Sequence, residues 1–256
     1  MFMCCVMVWA AVQLPAMKNK YIDAHCHLQN VPDVNSALAA ARAAGVCGVI
    51  CNATAPNDWA HVMQIAQNND MVRGAIGVHP WNVQNLPENW AHSMRDILAH
   101  NLEMMVGEIG MDKYHPDLRA QAAVFTTCVD LACEFARPVF VHCVGAWDKV
   151  LQILKSRHVH LPRVMVAHGF NGSQQILEQL ISRYNFYISV SPMILDGRRS
   201  QLLDIVRQTP DNRILIESDG TNPAIVVDVA KRIAETKGVA NEQMADIIYN
   251  NTVGIL

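Results

Sequence analysis

The stretch YIDAHCH, residues 21–27, places two histidines at the end of a short apolar run. In a β-strand, residues two positions apart share a face, so His25 and His27 should point the same way and Cys26 the opposite way. A doubly wound open sheet usually carries a glycine-rich phosphate loop after its first strand, and none follows here. The stretch therefore favours a barrel whose first strand ends in two potential metal ligands.

Beyond residue 20, short β-branched runs alternate with longer segments of helical periodicity. Eight strands are predicted, at Tyr21–His25, Cys47–Asn52, Val72–His79, Glu103–Glu108, Pro138–His142, Arg163–His168, Asn185–Val190 and Arg213–Glu217. Nine helices are predicted between and after them, at Val34–Ala44, Asn57–Asn69, Trp90–Asn101, Asp117–Ala136, Trp147–Arg157, Ser173–Arg183, Arg198–Thr209, Pro223–Lys237 and Asn241–Asn251. The strands are almost continuously apolar, as parallel strands buried on both faces are. This order predicts an α/β fold, a single-domain (β/α)8 TIM barrel over residues 17–256, with an open sheet as the alternative.

The first 16 residues, MFMCCVMVWAAVQLPA, are apolar but have no Lys or Arg before the apolar run, unlike a secretory signal. The run is also shorter than the roughly 20 residues of a typical transmembrane helix. We expect residues 1–16 to be an extension that is either disordered or upstream of the natural start at Met17. No other segment is long and apolar enough for a membrane span, so no membrane association is expected.

Charge and cysteine content restrict the class of protein. A formal net charge of −3 gives no overall basic field to attract nucleic acid, so phosphate groups would have to be bound at a local site. The eight cysteines lie mostly in apolar runs and form no Cys-x-x-Cys pair, which is typical of buried free thiols in a reducing compartment. We expect a cytoplasmic protein with no obligate protein partner.

Four further potential metal ligands lie at predicted strand ends. Glu108 ends the fourth strand, His142 the fifth and His168 the sixth, while Asp219 follows the eighth. Catalytic groups of barrel enzymes lie at the carboxyl ends of the strands, so these four residues should converge with the histidine pair of the first strand. Imidazoles and carboxylates are the ligands of zinc, manganese and related ions, and the two oxygens of Glu108 could bridge two of them.

Six motifs, taken together and in order, resemble the TatD family of metal-dependent hydrolases, within the amidohydrolase-like TIM barrels. They are IDAHCHL (22–28), GVHP (77–80), VGEIGMD (106–112), RPVFVH (137–142), AHGFNG (167–172) and LIESD (215–219). The family's closing Asn-Thr segment also has a counterpart at residues 251–252. The resemblance covers the chain from about residue 20 to its end.

The resemblance implies a centre of two divalent ions, here expected to be zinc, manganese, magnesium or nickel. The implied ligands of the first ion are His25, His27 and Asp219, those of the second are His142 and His168, and Glu108 bridges the two.

The resemblance also implies a deoxyribonuclease, often one that acts as a 3′-to-5′ exonuclease on single-stranded DNA. Two ions lower the pKa of a bridging water and polarise a phosphoryl oxygen. Asp219 would accept the proton of that water, which makes it and Glu108 the expected catalytic residues. His79 and Arg198 are the expected contacts to substrate phosphate.

Three departures from the family pattern lie in the substrate region. Val144 and Gly145 stand where the family commonly has an Arg and an acidic residue, the loop after Asp219 is short, and residues 193–199 replace a Phe-Lys element. These changes favour an alternative function, a metal-dependent hydrolase of a small ester, amide or phosphorylated metabolite. Three aromatic residues near strand ends are candidates for stacking on bases: Trp81, Tyr114 and Phe170.

Overall fold

The computed structural model describes residues 20–157 and 161–256, so the predicted extension at residues 1–16 lies outside the described residues. Eight strands form one sheet in which each strand pairs in parallel with the next along the chain. They are β1 (Tyr21–Cys26), β2 (Val46–Asn52), β3 (Val72–Ile76), β4 (Met105–Asp112), β5 (Val139–Val144), β6 (Met165–Ala167), β7 (Tyr187–Val190) and β8 (Ile214–Ile216). The predicted (β/α)8 TIM barrel is confirmed.

A helix follows each strand in the described part of the chain, and one more ends it. They are α1 (Val34–Ala43), α2 (Trp59–Asn68), α3 (Trp90–His100), α4 (Leu118–Glu134), α5 (Trp147–Ser156), α6 (Gln174–Tyr184), α7 (Ser200–Gln208), α8 (Val226–Lys237) and α9 (Asn241–Val253). Side chains cap several first turns: Asp33, Asp117 and Ser173 each accept a hydrogen bond from a backbone N–H three residues on. All nine predicted helices are present, with their ends shifted by a few residues.

The barrel closes where the end of β1 meets the segment after β8. The backbone N–H of Asp219 donates to the carbonyl of His25 at 2.9 Å, and that of His27 donates to the carbonyl of Gly220 at 2.8 Å. These two bonds bring residues from opposite ends of the sequence together at the mouth of the barrel.

Two apolar clusters hold the fold. The larger one fills the space between the sheet and the helices and contains Cys26, which therefore points away from its histidine neighbours as expected. The smaller one fills the barrel interior, with buried residues from seven strands: Ala24, Ile50, Ala75, Met105, Phe140, Val166 and Leu215. The fully buried Phe140 ring lies 6.4 Å from the His25 ring, so this interior layer supports the histidines above it.

Three carboxyl strand ends lie two or more residues from the predicted position, and one is that of β5, which continues to Val144 and so places His142 inside the strand. β4 continues to Asp112, so Glu108 lies inside the strand rather than at its end. Pairing of β4 with β5 shifts register between Val106 and Ile109, and such an irregularity redirects a side chain out of the regular alternation. β3 ends at Ile76, so the prediction that His79 ends the strand was wrong; His79 instead caps a short 3-10 turn.

Two further predictions concern membrane-spanning helices and the state of the cysteines. Within residues 20–157 and 161–256, no helix combines the length and apolarity needed to cross a membrane. All six cysteines in these ranges are free thiols, and most are buried.

Candidate metal centre

The Glu108 carboxylate is buried and lies at the centre of a group of imidazoles at the carboxyl end of the barrel. Its Oε2 atom faces the two histidines of the first strand, at 3.3 Å from His25 Nε2 and 3.5 Å from His27 Nε2. Asp219 adjoins this side, with Oδ1 3.7 Å from His27 Nε2. Two of the predicted ligands therefore face one oxygen of Glu108, and a third, Asp219, adjoins His27.

The other oxygen of Glu108 faces a separate group of imidazoles. Oε1 lies 2.8 Å from His142 Nδ1, 3.0 Å from His168 Nε2 and 3.4 Å from His79 Nε2. All six predicted ligands thus come together. Two of the histidines face each oxygen of Glu108, and His25 and His168, which face different oxygens, stack with ring centroids 4.0 Å apart. A carboxylate that bridges two ions needs ligands beside both of its oxygens in this way.

In His27 and His168, the hydrogen bond made by Nδ1 determines which ring nitrogen carries the proton when the ring is neutral. His27 Nδ1 lies 2.9 Å from the Asn52 carbonyl, which can only accept, so Nδ1 carries the proton. His168 Nδ1 lies 3.1 Å from Glu217 Oε1, with the same consequence. In the neutral rings, Nε2 of both histidines therefore presents a lone pair to the cluster, as a metal ligand must.

His79 has the opposite tautomer. Its Nδ1 accepts a hydrogen bond from the backbone N–H of Trp81 at 3.2 Å, so in the neutral ring the proton lies on Nε2, facing Glu108. Burial lowers the pKa of His79, against the opposing effect of Glu108, which favours this neutral form. His79 is thus a hydrogen-bond donor at the edge of the cluster.

The donor set fits divalent metal ions. His25 is completely buried, yet neither of its ring nitrogens has a hydrogen-bond partner among the described residues. Buried imidazole nitrogens are normally satisfied, so this orphaned ring indicates a ligand. Three overlapping triads have their donor atoms within 4.8 Å of one another: His25 with His168 and Asp219, His25 with His27 and Glu108, and His79 with Glu108 and His142.

Burial and neighbouring charges shift the pKa values of Glu108, His168 and His25. Burial alone would raise the pKa of Glu108, but the charge of His168 and the hydrogen bonds from His142 and His168 hold it well below its ordinary value. Burial likewise opposes protonation of His168, but Glu217 and Glu108 raise its pKa well above the ordinary value. Burial and the neighbouring charge of His168 lower the pKa of His25, which is neutral as a result.

His27 and Asp219 form a second titrating pair. Burial works against the charge on His27, but the neighbouring carboxylates of Asp219 and Glu108 raise its pKa to about 9. Burial also opposes ionisation of Asp219, but the neighbouring His27 lowers the pKa of Asp219 below the ordinary value. In the metal-free protein, Asp219 is a carboxylate paired with a protonated His27 at neutral pH.

Asp219 is the most accessible member of the cluster. Its side chain is 40 % exposed, whereas that of Glu108 is 3 % exposed. Its φ angle of 46° is a left-handed conformation that a non-glycine residue adopts at a cost of about 1–3 kcal/mol. Backbone bonding to His25 holds this conformation, which places the carboxylate between the buried cluster and solvent.

Gly110 permits the close approach of β4 and β5 beside the centre. It pairs with His142, and a Cβ added to Gly110 would lie only 1.8 Å from the His142 carbonyl oxygen. We expect Gly110→Ala to lower the free energy of unfolding by about 3 kcal/mol, because the two strands must separate. Urea unfolding measures this change. Gly197→Ala is the matched control, since a Cβ there meets nothing within 4 Å; equal losses for the two variants would contradict the packing explanation.

The two predicted substrate contacts lie in different places. His79 is next to Glu108, as described above, whereas Arg198 has a side chain 91 % exposed and paired with Asp196 at 3.0 Å. Arg198 lines a cleft of about 840 Å³ between the loops that follow β4 to β7, and Val144 and Gly145 line the same cleft. None of the six predicted ligands lines this cleft, so it adjoins the centre rather than containing it.

Two residues outside the predicted ligand set orient the imidazoles, and the sequence gives little or no signal for them. Asn52 acts on His27 through its backbone carbonyl, which any residue would supply. Glu217 orients His168 and also accepts the backbone N–H of Gly169 at 2.6 Å; its place two residues before Asp219 was the available signal. Phe170, a candidate for base stacking, is buried against Trp147 instead.

Known proteins resemble the chain over almost the whole barrel. The family model described as TatD related DNase matches residues 22–256. The uncharacterized metal-dependent hydrolase YcfH of Escherichia coli is 31 % identical over 250 residues, 90 % of this chain and 93 % of YcfH. The 3′-5′ ssDNA/RNA exonuclease TatD of Enterobacter lignolyticus is 26 % identical over 238 residues, 86 % of this chain and 91 % of that protein. The crystal structure of YJJV, a TatD homologue from Escherichia coli, aligns with a TM-score of 0.88 at 27 % identity, covering 94 % of this chain and 99 % of that one.

Proposed function

Because the chain belongs to the TatD-related DNase family, we propose that it is a metal-dependent phosphodiesterase that removes nucleotides from the end of single-stranded DNA. The observation that carries this proposal is the Glu108 carboxylate, whose two oxygens each face a separate set of imidazoles. Relatives named 3′-5′ ssDNA/RNA exonuclease support a nucleic acid as the substrate.

We assign two divalent ions to this cluster, one on each side of Glu108. His25, His27 and Asp219 would hold the first and His142 and His168 the second, with zinc and manganese the best match to so many imidazoles. Bound there, the ions would supply an activated water and a positive charge for the phosphoryl oxygens.

The chain's own residues would supply proton transfer and substrate orientation. Asp219, ionised and partly exposed, is placed to accept the proton of the attacking water. His79 presents Nε2–H at the edge of the cluster and would donate it to a non-bridging phosphate oxygen. Glu217 and Asn52 fix the rings of His168 and His27, so that the ligands need no rearrangement.

The direct test is hydrolysis of end-labelled oligonucleotides by the purified protein with manganese, zinc, magnesium or nickel. We expect nucleotides to be released one at a time from single-stranded DNA and the reaction to stop with chelator. Turnover of small esters or amides without any cleavage of DNA would contradict the proposal and support the alternative hydrolase. A cytoplasmic location and the absence of an obligate protein partner stay predictions.

Metal binding should release protons at neutral pH. The raised pKa values of His27, about 9, and of His168 mean that both rings are protonated in the metal-free protein at pH 7, and each must lose its Nε2 proton to bind an ion. Glu108 and Asp219 are already ionised and His25 is already neutral, so they release none. We expect His27 and His168 to contribute about two protons per chain.

Titration calorimetry in several buffers measures this release. The observed binding enthalpy should vary with the ionisation enthalpy of the buffer, with a slope that corresponds to the number of protons. The slope should fall as the pH rises through about 9, because His27 then loses its proton before metal binds. A slope of zero at pH 7 would contradict the assignment of these two rings as ligands.

A further inference from the structure

We propose that Trp81 and Tyr114 form a platform on which the nucleobase next to the cleaved phosphate stacks. This inference rests on the proposed function and names how the same site would hold its substrate. Six large hydrophobic residues are exposed in the described ranges, and two of them are aromatic: Trp81 at 57 %, on the loop after β3, and Tyr114 at 74 %, on the loop after β4. The exposed aliphatic ones are Leu102, Leu195, Val253 and Leu256.

The Trp81 ring is exposed but held in place. Its indole N–H donates to Asp112 Oδ2 at 2.8 Å. The ring stacks on His115, with centroids 4.3 Å apart and planes 22° apart, and meets His79 edge-on at 5.0 Å. A side chain fixed in this way loses little rotamer freedom when a ligand binds, which is the property of a prebuilt binding surface.

Asp112 joins both members of the platform. The Asp112 carboxylate accepts a hydrogen bond from the Trp81 indole and a second one from the backbone N–H of Tyr114, whose nitrogen lies 2.9 Å from Asp112 Oδ1. The completely buried Gln121 braces the same loop, because its side chain bonds the backbone of Asp112 on both sides and the carbonyl of His115. Asp112 therefore links the Trp81 ring to the backbone at Tyr114, on the neighbouring loop.

The platform adjoins the metal centre at two points. Asp112 Oδ2 lies 4.0 Å from His142 Nε2, and His79, which contacts the Trp81 ring, lies 3.4 Å from Glu108 Oε1. Tyr114 also lines the cleft that runs to Arg199. A phosphodiester bound by the ions proposed at Glu108 would therefore have an aromatic surface beside it and a cleft leading away from it.

The chemistry of the platform favours a nucleobase. Every base has a flat π-face, and stacking on an aromatic side chain needs no particular base, which suits an enzyme that removes successive nucleotides. The Trp81 indole N–H is already bonded to Asp112 and one face of the ring is stacked on His115, so a ligand would meet the other face and not a polar group. The platform should accordingly bind all four bases with similar affinity.

The test compares Trp81→Ala with the wild-type metal-loaded enzyme on two single-stranded oligonucleotides, one intact and one with abasic residues at the 3′ end. We expect Trp81→Ala to raise KM for the intact oligonucleotide about 10-fold with little change in kcat, and Trp81→Phe to retain most of the affinity. On the abasic oligonucleotide, Trp81→Ala should have no further effect. A phosphorothioate-protected oligonucleotide, which is not cleaved, should bind more weakly to Trp81→Ala than to the wild type and to Trp81→Phe. Its binding should quench tryptophan fluorescence only when Trp81 is present.

Leu102→Ala is the control, because Leu102 is a hydrophobic residue even more exposed than Trp81 and lies in the loop between α3 and β4, at the other end of the barrel. Equal losses on intact and abasic oligonucleotides would show a merely structural role for Trp81, and unchanged KM would show no role; either result overturns the platform. If the wild type cleaves DNA normally in those cases, only the platform fails. If the wild type neither binds nor cleaves single-stranded DNA, the proposed function fails with it.

Discussion

Glu108→Gln should reduce hydrolysis of single-stranded DNA by about 10³-fold and leave less than two ions bound per chain. The glutamine side chain has the same size, but it carries no charge and only one oxygen. It cannot face His25 and His27 with one oxygen and His142 and His168 with the other, as Glu108 does. The loss should therefore fall on metal binding as well as on rate.

Metal content after dialysis and initial rates at saturating metal measure the two effects of Glu108→Gln separately. Glu103→Gln is the matched control, since Glu103 is exposed, pairs with Arg73 and precedes the same strand. That variant should keep both ions and the wild-type rate. Two tightly bound ions and near wild-type hydrolysis in Glu108→Gln would show that the carboxylate does not bridge.

Asp219→Asn should lower kcat by about 10²–10⁴-fold even when metal is saturating, because the amide cannot accept the proton of the attacking water. The affinity for the first ion should also fall, since Asp219 is one of its proposed ligands. The backbone should not change, because the hydrogen bond from residue 219 to the His25 carbonyl uses the main chain.

The control for Asp219→Asn is Asp204→Asn on α7, where the carboxylate is exposed and pairs with Arg207. This second variant should be indistinguishable from the wild type. If Asp219→Asn retained full kcat with both ions bound, another group would have to be the proton acceptor.

The barrel and the convergence of its six predicted ligands could both be anticipated from the sequence. Apolar strand runs alternating with helices allow few topologies, and a parallel barrel brings all its carboxyl strand ends to one face. Once the barrel is predicted, His25 and Asp219 have to meet, although the first lies in the first strand and the second follows the last. The hydrogen bonds between β1 and the segment after β8 confirm this.

The details that tune the centre could not be predicted in the same way. The prediction that Glu108 ends its strand was wrong, because the register shift in β4 depends on the neighbouring strand and not on the local pattern. The proton position on His79 depends on a backbone N–H, and that on His27 depends on a backbone carbonyl. The fixed position of Trp81 depends on Asp112, which is 31 residues away. Such contacts form only in the folded chain.

Anomalous diffraction from crystals grown with manganese tests the central claim most directly. Two peaks are expected, one on each side of Glu108: the first among His25, His27 and Asp219, the second beside His142 and His168. A single peak on one side of Glu108, or peaks away from this carboxylate, would contradict the two-ion centre.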